Sequence, residues 1–84
     1  MEVLIGKVTH YFDRIGVAVL DLTAELKVGD NILILGHNTD IEQPVGSLEI
    51  DHQKVQAAGK GMEVALLVAD RVHEGDKVFK VVEA

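Results

Sequence analysis

The chain has 84 residues, a formal net charge of −6, and neither cysteine nor tryptophan. That length holds one domain, residues 1–84, and the missing thiols exclude a disulfide framework, a thiolate zinc site and a cysteine nucleophile. The acidic balance argues against a general nucleic-acid binder, whose affinity comes mainly from neutralised phosphates, while leaving room for a local basic face.

Taken in chain order, apolar patterning predicts six strands. Val3 to Phe12 is the first, closed by a turn at Asp13-Arg14. Ile15 to Leu22 is the second. Its run Gly16-Val17-Ala18-Val19-Leu20 is apolar at odd and even positions alike, the pattern of a strand covered on both faces. Asn31 to Leu35 is the third, and Gly36 to Asp40 is a loop by composition. Pro44 cannot donate to a ladder and is expected at a strand start or a sheet edge. Val45 to Asp51 is the fourth strand, with Leu48 and Ile50 inward. His52 to Gly61 is too broken by glycine for a helix and reads as an irregular segment pinned by Val55 and Ala58. Met62 to Val68 and Lys77 to Val82 complete the set.

Two of these strands are entered by one device. Leu26-Lys27-Val28-Gly29-Asp30 precedes the third, and Val72-His73-Glu74-Gly75-Asp76 precedes the sixth. Glycine takes positive φ at little steric cost, and aspartate bonds nearby backbone. Short aliphatic strands joined by such turns predict an all-β domain, a closed or nearly closed barrel that removes sticky edges.

The ordered set is more specific than its parts. Ile5-Gly6-Lys7-Val8, Gly16-Val17-Ala18-Val19, Leu26 to Ile32, Val45 to Ile50, Gly59-Lys60-Gly61-Met62 and Gly75-Asp76-Lys77-Val78 follow one another. In that order they resemble the second domain of translational GTPases, the barrel of elongation factor Tu and initiation factor 2. A similar barrel ends some collagenase-like peptidases that act in RNA modification. The resemblance implies a six-stranded closed Greek-key-type barrel standing alone as a small elongation-factor-like protein. It also implies a non-catalytic module that binds tRNA or ribosomal RNA, or a translation or RNA-modification partner. The region it marks for RNA is the strand around Glu49 and the loop after it. Glu49 matches an acidic position, and the basic position falls near Asp51-His52, where no arginine stands. Lys54 and Lys60 flank that loop and, with His52, make the local candidate for a phosphate contact. The alternative is a protein-interaction or scaffold module, with a partner on an edge strand or on an apolar rim such as Ile15 and Val17.

Enzymatic readings find little footing. Gly59-Lys60-Gly61 lacks the earlier glycine and the following Ser or Thr of a phosphate loop, so no nucleoside triphosphate binding is expected. Ser47 is the only serine and has no nucleophile-elbow context. His10, His37 and His73 each have an aspartate three residues on, a pattern read as polar turns rather than metal ligands. No catalytic residue, metal or cofactor is therefore assigned. The N-terminal residues lack a signal-peptide layout, and no apolar run is long enough to cross a bilayer as a helix, so a cytoplasmic protein without membrane partners is expected.

Overall fold

The computed structural model describes residues 1–82 and is all-β. Ten strands follow in order: β1 (Glu2–Phe12), β2 (Val17–Leu22), β3 (Leu26–Lys27), β4 (Asn31–Gly36), β5 (Thr39–Pro44), β6 (Leu48–Ile50), β7 (Gln53–Val55), β8 (Ala57–Ala58), β9 (Glu63–Leu67) and β10 (Lys77–Val81). Eight form one antiparallel sheet in the order β5-β4-β10-β1-β2-β9-β6-β7, and β3 pairs with β8 apart from it.

The expected six-stranded closed barrel is therefore corrected on two counts. The additional strands come from segments whose composition reads as loop: only His37 and Asn38 turn the chain between β4 and β5, and Gly36 pairs directly with Thr39. The expected strand from Val45 to Asp51 shrinks to β6, and the irregular stretch after it contains β7 and β8. The sheet is also not closed, since β5 and β7 are its two ends. Part of the open side of β5 is bridged by a side chain instead of a ladder. The Gln43 amide donates to Leu67 O at 2.9 Å and accepts from Ala69 N–H at 2.6 Å. Pro44 ends this edge strand, where its missing N–H costs no ladder bond.

One aliphatic cluster fills the interior. Ile5, Leu20, Leu22, Ile34, Leu48 and Leu66 are among its fully buried members. The Gly-Asp turns frame it in the same way twice. Lys27 N–H donates to Asp30 Oδ2 at 2.9 Å, and Asp30 N–H donates back to Lys27 O at 3.1 Å. His73 N–H donates to Asp76 Oδ2 at 2.8 Å, and Asp76 N–H donates to His73 O at 3.1 Å. Gly29 and Gly75 take φ of 95° and 91°, which only glycine adopts freely. Each aspartate thus clamps the residues before its turn rather than those beyond it.

Two irregularities in β1 decide what faces outward. Its register shifts between Leu4 and Gly6 against β10, and between Val8 and His10 against β2. The second shift leaves Thr9 as the extra residue, its hydroxyl donating to Val19 O at 3.2 Å. A bulge of this kind exchanges the faces of every residue beyond it. Val8 points inward opposite Leu20, but His10 and Phe12 lie opposite Val19 and Val17 on the outer face. Tyr11 packs against the core in their place.

Candidate functional site

Alternation along β2 puts Ala18, Leu20 and Leu22 in the core and turns Val17, Val19 and Asp21 outward. Along β9 the outward set is Glu63, Ala65 and Leu67. Register joins these sets into rows: Phe12, Val17 and Leu67 in one, Val19, Ala65 and Glu49 in the next, Asp21 and Glu63 in the third. The first row and most of the second are apolar, on a face the chain does not cover. Phe12, Leu67 and the adjacent turn residue Ile15 are 46%, 58% and 63% exposed.

This face carries a groove of about 460 Å³, a size typical of ligand sites. Its floor is Val17, Val19, Ala65 and Leu67, and Phe12 and Ile15 stand at one end. Glu49, Asp51, His52 and Glu63 also line it, with neither lysine nor arginine in the lining. The apparent double-sided burial of the second strand is corrected accordingly: one face of β2 meets the core and the other is this groove.

Asp51 and His52 form the two-residue turn between β6 and β7 with φ of 50° and 66°. A hairpin turn with positive φ at both central residues favours Asn-Gly, and non-glycine residues there carry strain. The pair Asp51→Asn with His52→Gly is expected to raise stability by about 1 kcal/mol. In a thermal melt that is a rise of about 4–8 °C.

Of the sequence-derived site residues, the structure brings two together. Glu49 and His52 both line the groove. Lys54 lies opposite Glu49 in register but borders a neighbouring shallow depression with Gln43 and Pro44. Lys60 sits exposed in the turn before β9 and lines neither. Ile15 and Val17, named as an apolar rim, do line the groove. Phe12, Val19, Ala65 and Leu67 were not singled out for this surface, although the two-sided apolar run of β2 carried the signal.

The His-Asp pairs are dispersed. His73 and Asp76 form the turn already described, and the His73 ring lies 3.1 Å from Thr39 Oγ1. His10 approaches Glu74 at 3.9 Å and stacks edge-on against Phe12. Among the described residues no group of three His, Asp or Glu side chains is placed to hold a metal ion. Among the described residues there is no helix, and so none long and apolar enough to cross a membrane.

No family model matches the chain. Over 83 residues, 98% of its length, it is 37% identical to an uncharacterized protease of Methanocaldococcus jannaschii. Over 81 residues, 94% of its length, it is 35% identical to a collagenase of Porphyromonas gingivalis. The chain spans only 20% of the length of either relative. The fold matches the C-terminal domain of a Geobacillus thermoleovorans protein named as a U32 peptidase. The TM-score is 0.88, with 94% of this chain and 92% of that one covered. At 17% identity that likeness shows the fold alone.

These findings overturn the resemblance to the translational GTPase barrel, and with it the reading as an elongation-factor-like, RNA-binding translation module. The motifs that suggested it are two clamped turns and an alternating strand pattern. They report how a small β domain is built rather than what it binds.

Proposed function

We propose that this chain is an accessory domain of a U32-type peptidase, and that its groove docks the polypeptide on which the larger protein acts. The observation that carries the reading is the uncovered apolar face of β2 and β9. Such a face is costly in water unless something covers it. The relatives named protease and collagenase supply the class of partner, since both act on polypeptide by name. The bond-breaking chemistry is assigned to the four fifths of those relatives that this chain does not match. The domain's task is then to hold an extended chain against the sheet.

The test is a titration of the ¹⁵N-labelled chain with peptides from denatured collagen and from casein. Saturable shifts are expected at the amides of Val17, Val19, Ala65 and Leu67. If no peptide moves these amides, the docking reading fails. A second reading follows from the chain matching only one fifth of its relatives: the same face packs on another part of the longer protein. Protection of those four amides from hydrogen exchange in a full-length relative, with no peptide response, would favour it.

A further inference from the structure

The groove is not uniform along its length, and its two ends differ in chemistry. Along β9 from Leu67 through Ala65 to Glu63, beside Val17 and Val19 of β2, the lining passes from aliphatic to carboxylate. Asp21, opposite Glu63 in register, is not part of the lining. Four residues of strand separate the two ends, roughly 13 Å at the rise of an extended chain. Glu49 on β6 stands beside Ala65 in the middle row, and Asp51 lines the groove from the turn beyond it.

The acidic end is only partly compensated by the chain itself: Lys54 on β7 stands opposite Glu49 in register, while Asp51 and Glu63 take part in no ion pair among the described residues. Asp21 and Glu63 lie directly opposite each other in the β2–β9 register, an arrangement in which like charges destabilise a sheet. Lys7 is opposite Asp21 on its other side, on β1. Among the described residues the ion pairs are His10–Glu74, His73–Asp76 and Lys80–Asp30, and none reaches Glu49, Asp51 or Glu63. The net charge of −6 adds a field of the same sign.

Building on the docking reading, we propose that the occupant is an extended polypeptide segment bearing an apolar side chain and, two to four residues along, a lysine or arginine. The apolar side chain lies on Val17, Leu67 and Phe12. The cation sits among Glu49, Asp51 and Glu63, where it also relieves the repulsion between Asp21 and Glu63. Acidic peptides are excluded by the same carboxylates. The surface therefore selects by charge as well as by apolar area.

The test uses two fluorescein-labelled peptides that share a pair of leucines and differ only in carrying lysine or glutamate at the distal position. Anisotropy titrations on the intact chain are expected to show the lysine peptide binding about fivefold to tenfold more tightly at low salt. That preference should fall to about twofold in 0.5 M NaCl, where the Debye length is only a few ångströms. Glu49→Gln with Glu63→Gln should erase most of the preference while the leucines still bind. Should the double variant unfold, the salt series on the parent chain decides alone. Equal binding of both peptides with groove amides shifted overturns the charge selection and leaves the docking reading standing. Binding of neither, with no amide shifted, removes the docking reading itself.

Discussion

Gly6→Ala is expected to destabilise the domain by about 2–3 kcal/mol, lowering the melting temperature by about 10–20 °C. Gly6 pairs with Leu22 on β2 and with Val78 on β10, beside the first register shift of β1. A Cβ there would collide with the Asp21 carbonyl and crowd Leu22 Cα at 3.3 Å. Both are backbone atoms, so no side-chain rotation relieves the contact and the strands themselves must part. That movement pulls on the bond from Thr23 N–H to Ile5 O, 2.7 Å long, and on Ile5 and Leu22, both in the core. Gly46→Ala and Gly59→Ala are the controls, since an added Cβ meets nothing within 4 Å at either position. Their melts should stay close to that of the parent.

Ile15→Ser combined with Leu67→Ser should have the opposite profile, leaving the fold intact and disabling the groove. Both side chains are largely in water, so their loss removes little that folding buries, and each surface change stays within about 0.5 kcal/mol. Docking is another matter. Burying one such aliphatic side chain is worth about 1.5–3 kcal/mol. Losing two should weaken an apolar-bearing peptide at least tenfold, or about 1.4 kcal/mol and upward. Serine is neutral, so the change leaves the charge of the acidic end as it was.

The all-β class was legible because it rests on local chemistry: β-branched runs, a proline at an edge, and Gly-Asp turns that clamp themselves. The number of strands and the closure were not. β5 contains Asp40, Glu42 and Gln43 and reads as a loop, yet it pairs along its whole length with β4. Register outweighs propensity there. Closure depends on whether distant edges meet, and here the Gln43 side chain spans a gap that no strand fills. The groove was half legible. Glu49 and His52 were marked through a resemblance whose family was wrong, and they line the surface all the same. Phe12 was hidden by the bulge at Thr9, because simple alternation from Val8 sends it to the core. The two-sided apolar run of β2 was read as burial on both faces. Its physical content was narrower: both faces are apolar, and this chain covers one.

The most direct measurement compares the parent chain with the Ile15→Ser, Leu67→Ser double variant, both ¹⁵N-labelled, against the same leucine- and lysine-bearing peptide, with a thermal melt of each. The docking account predicts melts within a few degrees of one another. It predicts saturable shifts at Val17, Val19 and Ala65 in the parent and almost none in the variant. Equal shifts in both chains, at the same peptide concentrations, would contradict it.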